Sequence, residues 1–180
     1  DAIRSRGLGD VYKRQTYSTS ININLEFDTD LFRFSYSSLT TPNSIYEYNL
    51  ISREKSLLKQ DEVLGGNFDV KNYKSERLYA NSRDGSTKIP ISLVYNKNIN
   101  IDQNTPLILY GYGSYGYSID PYFSSVRLSL LDRGFIYAIA HIRGGKEKGE
   151  SWYEDGKLLK KKNTFYDFID CGKFLIKNSF

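Results

Sequence analysis

The chain has 180 residues, enough to bury a sizeable core, and its 39% hydrophobic and 26% charged residues are typical of a folded globular protein. The net charge of +4 is spread along the chain, which argues against a nucleic-acid-binding protein. The sequence contains no run of about 18 apolar residues, so it predicts no membrane span. The single cysteine, Cys171, cannot form an intrachain disulfide and favours a reducing, cytoplasmic compartment.

Alternating apolar and polar residues follow an irregular start. Residues 1–16 show no periodicity, and we interpret them as an unstructured or foreign leader. From residue 17 to about 60, four short runs, the first centred on 21–27, are separated by turn sequences such as Thr41-Pro42-Asn43. These runs predict an antiparallel meander, and four strands in about 40 residues are the size of one β-propeller blade. Gly65-Gly66-Asn67 then predicts a linker.

The second part of the chain predicts an α/β sheet. Strands are predicted at 75–82, 88–95, 107–110 and 135–142, and helices at 123–133 and 164–177. Asp84-Gly85 is a hairpin turn signal between the first two strands, and the last two strands are fully apolar, as in buried parallel sheets. Thr164 and Asp167 resemble a capping box for the last helix. This order predicts a sheet that begins antiparallel and continues parallel.

The loop after the strand at 107–110 combines glycine and tyrosine. Its sequence is Gly111-Tyr112-Gly113-Ser114-Tyr115-Gly116-Tyr117. Glycine permits sharp turns or the close approach of another group, and tyrosine hydroxyls can donate hydrogen bonds. A buried strand that ends in such a loop is a common position for the active site of an α/β enzyme.

Five sequence blocks carry a family resemblance. They are LYGYGSYG at 109–116, RLSLLDRG at 127–134, AHIRGG at 140–145, WYEDGK at 152–157 and KKKNTF at 160–165. Together they resemble the prolyl oligopeptidase family of serine peptidases, and most nearly its oligopeptidase B branch, which cuts after basic residues. The resemblance implies an all-β final propeller blade at 17–68, followed by the N-terminal part of an α/β-hydrolase domain at 69–180.

The resemblance assigns roles to three residues. Tyr112 matches the tyrosine whose hydroxyl donates to the oxyanion, although spacing alone is equally compatible with a tyrosine that packs under the loop. Tyr115 matches an aromatic position that lines the primary specificity pocket, and simple packing is again the alternative. Asp120 matches an acidic position that binds a second basic residue of the substrate. Tyr122 stands where the family often has another acidic residue, so a strong dibasic preference is not expected.

The catalytic triad is not recognisable in this chain. Alpha/beta-hydrolases place the nucleophile on a Gly-x-Ser-x-Gly elbow, which the sequence lacks, and the glycines around Ser114 have the wrong spacing. We interpret His141 as a packed histidine at a strand end. The Ser, Asp and His of the triad are therefore expected beyond Phe180, and the 180-residue chain alone is predicted to be inactive. The sequence shows no metal-ligand cluster and no phosphate-binding loop, so neither metal nor cofactor is expected.

Several charged residues have structural interpretations. We expect Arg143 to form a structural ion pair. Glu154, Asp155 and the lysine run at 160–162 are interpreted as solvated surface. Cys171 is expected to be a small buried residue.

The resemblance implies a serine endopeptidase that hydrolyses short oligopeptides after Lys or Arg. A prolyl-specific member of the same family is the alternative, because the pocket residues that decide between them are expected beyond Phe180. Another possibility is a non-catalytic piece without a function of its own. A peptide- or nucleic-acid-binding module would have to show saturable, salt-sensitive binding, which we do not expect.

Overall fold

A computed structural model describes residues 16–66 and 68–180. The leader predicted at 1–16 lies outside the described residues except for Thr16, which is buried, and Asn67 of the predicted linker also lies outside them. None of the helices in the described ranges is long and apolar enough to cross a membrane.

The first sheet is an antiparallel meander. Its strands, in spatial and sequence order, are β1 (Tyr17–Ile21), β2 (Leu31–Ser38), β3 (Ser44–Asn49) and β4 (Lys55–Gln60). Alternating residues of β2 show why it forms: Phe34 and Tyr36 are buried, and their rings lie within 5.5 Å and 6.2 Å of the Tyr46 ring on β3. The meander predicted from the alternation is confirmed.

The first strand, however, ends earlier than predicted. Strand β1 stops at Ile21, and residues 22–27 are not a strand. The side chain of Asn24 takes over the pairing with Arg33, since its Nδ2 donates to the Arg33 carbonyl at 3.0 Å and its Oδ1 accepts from the Arg33 N–H at 2.7 Å. An amide side chain can satisfy backbone groups in this way and so compete with the ladder. The alternation at 21–27 therefore does not correspond to a paired strand.

The second sheet is mixed, as predicted. Its strands are β5 (Tyr73–Asn81), β6 (Lys88–Asn96), β7 (Leu107–Tyr110) and β8 (Ile136–Ala140), in the spatial order β5-β6-β8-β7. Strands β5, β6 and β8 pair antiparallel, whereas β7 and β8 pair parallel. The helices are α1 (Ser125–Leu131), α2 (Glu150–Glu154) and α3 (Lys162–Lys177), with short 3-10 helices at Val70–Asn72 and Leu158–Lys160.

Apolar clusters cover both faces of the second sheet. Helix α3 packs on one face, where its residues Cys171 and Leu175 are fully buried against β6 and β8. Helix α1 packs on the other face through Leu128 and Leu131. Leu39, which follows β2, joins this second cluster and connects the first sheet to the second. Cys171 is thus the small buried residue predicted from the sequence, and burial raises the pKa of its thiol far above the ordinary value.

The capping box predicted for the last helix is wrong. Helix α3 begins at Lys162, so Thr164 lies inside its first turn instead of at its N-cap. The Thr164 hydroxyl donates to the carbonyls of Arg143 (2.7 Å) and Gly156 (3.1 Å). Asp167 points towards Arg143 and forms a buried ion pair with it. Both side chains therefore serve tertiary contacts, which override the local capping pattern.

Candidate active-site loop

The loop at 111–119, here called the tyrosine loop, leaves the sheet at the end of β7. The segment after β8, residues 141–149, leaves the same edge because β7 and β8 are parallel neighbours. The Gly116 N–H donates to the Gly144 carbonyl at 2.9 Å, so the two segments are directly bonded. The segment after β8 therefore forms the support on which the tyrosine loop rests.

Two glycines allow this close packing. Gly113 has a φ of +62°, and a Cβ atom there would lie 2.5 Å from Thr164 Cγ2. A Cβ atom at Gly144, where φ is +104°, would overlap the Gly113 carbonyl oxygen. Only glycine accommodates both the left-handed conformation and the contact. The backbone of the tyrosine loop is thereby brought against helix α3.

An aromatic cavity of about 430 Å³ opens on the tyrosine loop. Its lining consists of Tyr110, Tyr112, Tyr115, Gly116, Tyr117 and Ile119. The rings of Tyr112 and Tyr117 meet edge to face with centroids 6.0 Å apart. The side chain of Tyr112 is 44% exposed, and its hydroxyl has no hydrogen-bond partner within the described part of the chain. This hydroxyl is consequently free to donate to a ligand in the cavity.

The structure brings Tyr112 and Tyr115 together but leaves Asp120 outside the cavity lining. Tyr115 is 87% exposed, so its ring is not packed in the core, and its backbone is left-handed with a φ of +55°. The Asp120 carboxylate is exposed and accepts hydrogen bonds from the hydroxyls of Tyr122 (3.0 Å) and Ser18 (3.4 Å). Asp120 therefore sits beside β1, where the first sheet meets the tyrosine loop.

His141 belongs to a buried polar cluster. Its Nε2 lies 2.6 Å from the Ser92 hydroxyl, and its Nδ1 lies 3.8 Å from Glu147 Oε1. The order Ser, His, Glu resembles a catalytic triad, but Ser92 is 0% exposed and His141 only 2%. A substrate carbonyl cannot reach a fully buried hydroxyl, so this cluster is not a nucleophilic site. The packed strand-end histidine predicted from the sequence is confirmed.

The surroundings of His141 favour its neutral form. Burial is the main cause that lowers the pKa of His141, and the positive charge of Arg77 lowers it further. The carboxylates of Glu147 and Asp120 oppose this shift without reversing it. Glu147 is itself engaged elsewhere, because its Oε1 accepts the Ile119 N–H at 3.0 Å. Glu147 thus fastens the far end of the tyrosine loop to the segment after β8.

Arg143 forms the predicted ion pair, and it does so in a buried setting. Its Nε and Nη2 donate to Asp167 Oδ2 (2.8 Å) and Oδ1 (2.6 Å), and its backbone N–H donates to Oδ2 at 3.0 Å. Asp167 is 0% exposed. A third contact joins Arg143 Nη1 to the Asp84 carboxylate at 3.3 Å. The pair ties the end of β8 to helix α3 and to the β5–β6 hairpin.

Lys161 is the residue of the lysine run that is not simply solvated surface. Its ammonium donates to the Gly113 carbonyl at 2.5 Å and to the Ser114 hydroxyl at 2.7 Å. Lys160 and Lys162 are exposed, as expected. The described residues contain no group of three or more His, Cys, Asp or Glu side chains that could hold a metal ion.

Comparison with known proteins places these features in one family. A profile described as the prolyl oligopeptidase family matches residues 121–180. Dipeptidyl aminopeptidase BI of Pseudoxanthomonas mexicana is 48% identical over 180 residues, which are 99% of this chain and 25% of that protein. The structure of oligopeptidase B from Leishmania major is 47% identical, with a TM-score of 0.80 over 91% of this chain and 23% of that one.

The chain belongs to the prolyl oligopeptidase family. It spans about a quarter of the length of the relatives that it matches. Members with other names are also similar, among them a prolyl endopeptidase of Elizabethkingia meningoseptica, which is 38% identical over 85% of this chain and 21% of that protein.

Sequence reasoning missed two side chains that hold the tyrosine loop. Lys161 was grouped with its neighbours as surface, and Glu147 lies in a polar segment without periodicity. Both contacts join residues far apart in sequence, 48 positions for Lys161 with Gly113 and 28 for Glu147 with Ile119. The one available signal was the abundance of glycine in the tyrosine loop and in the segment after β8. This abundance indicates a close approach of two backbones, but it does not identify the side chains that hold them together.

Proposed function

We propose that this chain is a segment of a serine-type oligopeptidase that hydrolyses short peptides after Lys or Arg. The observation that carries the proposal is the half-exposed Tyr112, which lines the aromatic cavity and whose hydroxyl has no hydrogen-bond partner among the described residues. Membership of the prolyl oligopeptidase family supports the reaction class. In this function the tyrosine loop forms one wall of the active site.

The chemistry explains why such a hydroxyl belongs there. Attack on a peptide carbonyl creates an oxyanion, and preorganised donors stabilise the charge that develops. Tyr112 would supply one donor, and removal of a single donor of this kind costs about 3 kcal/mol. The buried Ser92–His141 pair cannot act as nucleophile and base. We therefore place the Ser, Asp and His of the triad in a part of the protein that this chain does not contain.

We propose the same division of the chain that the sequence predicted. Residues 17–68 would form the final blade of a β-propeller, and residues 69–180 the N-terminal part of an α/β-hydrolase domain. Two facts support this division: the meander ends at Gln60, and the mixed sheet begins at Tyr73. The oligopeptidase B structure matches 91% of the chain, which includes both sheets. The single buried cysteine, Cys171, supports a cytoplasmic location.

Binding of a second basic residue of the substrate is favoured by the exposed carboxylate of Asp120, which supports a peptidase of basic peptides. A carboxylate attracts the ammonium or guanidinium group of a substrate side chain. Tyr115 would contribute an aromatic wall to the pocket for the residue before the cleaved bond. The alternative is cleavage after proline, because the tyrosine-lined cavity also suits an apolar ring and a prolyl endopeptidase is among the relatives.

The test uses the full-length protein and peptide amides that carry Arg, Lys or Pro before the reporter group. We expect kcat/KM to be highest for the Arg and Lys amides. The substitution Tyr112→Phe should lower kcat about 100-fold with little change in KM, since the donor acts on the transition state. Tyr117→Phe is the matched control, because Tyr117 lines the same cavity.

Three results would contradict the proposal. A preference for the Pro amide would establish the prolyl alternative. An unchanged kcat in Tyr112→Phe would remove the oxyanion role. Turnover by the isolated 180-residue chain at rates approaching those of a normal protease would show that it contains its own nucleophile.

A further inference from the structure

Lys161 contacts the tyrosine loop immediately after Tyr112. Its ammonium donates to the carbonyl of Gly113, the next residue in the chain, at 2.5 Å. It also donates to the hydroxyl of Ser114 at 2.7 Å. The ammonium therefore fixes the peptide unit that leads away from Tyr112.

The ammonium of Lys161 has no carboxylate partner within the described residues. Two other lysines nearby do have one: Lys157 pairs with Glu154, and Lys160 with Asp155. The aromatic ring of Phe165 lies 5.9 Å from the Lys161 ammonium, and burial lowers the pKa of Lys161 below its ordinary value. A partly desolvated cation without a counter-charge must be satisfied by strong acceptors, and here these acceptors belong to the tyrosine loop.

Two other anchors of the loop lie farther from Tyr112. The Gly116 N–H is held by the Gly144 carbonyl, and Glu147 holds Ile119. The hydroxyl of Thr164 is 3.5 Å from the Gly113 carbonyl, at the limit of a hydrogen bond, and its shorter bonds go to other carbonyls. Lys161 is thus the strong side-chain anchor of the segment that carries the proposed oxyanion donor.

We propose that Lys161 is a positioning residue for the Tyr112 hydroxyl, which it holds at the oxyanion through the Gly113 carbonyl and the Ser114 hydroxyl. This inference rests on the proposed function, since it requires Tyr112 to be the donor. Catalytic geometry tolerates only small displacements, so a loop that loses this anchor should lose rate more than substrate affinity.

The experiment compares Lys161→Met with Lys160→Met in the full-length protein, using an Arg amide substrate. Both changes remove one positive charge from the same run, but only Lys161 contacts the loop. We expect Lys161→Met to lower kcat at least tenfold with KM changed less than twofold, and Lys160→Met to leave both unchanged. Peptide-resolved hydrogen exchange should become faster at residues 111–117 in Lys161→Met alone.

A double-substitution cycle separates positioning from simple stabilisation. If Lys161 acts through the Tyr112 hydroxyl, Lys161→Met should lower kcat no further once Tyr112→Phe is present. If Lys161→Met does not fold, Lys161→Gln takes its place in the same cycle. If the wild-type protein is active, two results would overturn the positioning role alone. One is a double variant whose loss of kcat equals the product of the two single losses, and the other is an unchanged kcat in Lys161→Met. A wild-type protein that hydrolyses no peptide amide would instead overturn the proposed function itself.

Discussion

Removal of the Asp167 carboxylate tests the energetic role of the buried ion pair. Asp167→Ala leaves the Arg143 guanidinium inside the protein, where its remaining partners among the described residues are the Asp84 carboxylate at 3.3 Å and the Ser86 hydroxyl at 3.5 Å. It also removes the acceptor of the Arg143 backbone N–H. Breaking one side of a buried pair costs about 3 to 5 kcal/mol, because the other charge stays desolvated.

The assay is peptide-resolved hydrogen exchange of the full-length protein, since exchange reports local stability without requiring two-state unfolding. A loss of about 3 to 5 kcal/mol corresponds to exchange that is roughly 100- to 4,000-fold faster. The acceleration should appear in the peptides that cover β8 and α3. It should not extend to the meander at 17–60, which makes no contact with this pair.

Asp170→Ala is the matched control for this experiment. Asp170 lies one turn further along α3, and its carboxylate pairs with Arg83 at 2.8 Å. The Arg83 side chain is 39% exposed, so water can solvate it when the partner is removed. Such a pair contributes about 1 kcal/mol or less. Equal acceleration in the two variants, or less than tenfold acceleration in Asp167→Ala, would refute the assignment of a buried, strongly coupled pair.

Two further substitutions test the neutral histidine and the glycine contact. Because burial lowers the pKa of His141, the unfolded chain binds a proton at a higher pH than the folded chain, so stability should fall as the pH decreases below about 6.5. His141→Asn should flatten this slope of melting temperature between pH 7 and 5, and an identical slope would contradict the assignment. Gly113→Ala should lower the melting temperature more than Gly85→Ala. Both positions have φ above +60°, but an added Cβ meets Thr164 Cγ2 at 2.5 Å only at position 113 and has no neighbour within 4 Å at position 85. Equal losses would show that the contact with Thr164 has no cost of its own.

The sequence was sufficient for the architecture where local pattern and tertiary contacts agree. The fully apolar run at 107–110 forms a strand with the predicted bounds, and the hairpin signal at Asp84-Gly85 joins β5 to β6. Prediction was wrong where a polar side chain makes a long-range bond. After β1, the side chain of Asn24 takes the place of backbone hydrogen bonds to Arg33. The Thr164 hydroxyl bonds to the Arg143 carbonyl, which is distant in sequence, instead of capping its helix. Such pairings depend on the fold and cannot be deduced from periodicity.

The residues of the candidate site also fall into those that the sequence predicts and those that depend on long-range contacts. Tyr112 and Tyr115 could be selected from the sequence because the family motif covers them, and the structure places both on one cavity. Asp120 was selected on the same basis and lies beside β1, outside that cavity. Lys161 and Glu147 could not be selected, since neither their spacing nor their neighbours distinguish them from solvated charges. The candidate site residues of the loop can thus be predicted from the sequence motif, whereas the side chains that support the loop are recognised only from the folded structure.

The carboxylate of Asp120 is shared between two parts of the chain. It accepts a hydrogen bond from Ser18, which belongs to the first sheet, while its own backbone directly follows the tyrosine loop of the second. A cation bound at Asp120 Oδ2 competes with the Ser18 hydroxyl for that oxygen and so weakens this contact between the two sheets. Linkage is reciprocal, and a protein whose sheets separate here would bind the cation more tightly by the same factor. The bond between Ser18 and Asp120 is long, at 3.4 Å, and therefore weak. Binding of a cation at Asp120 is thus expected to weaken the contact between the two sheets only slightly.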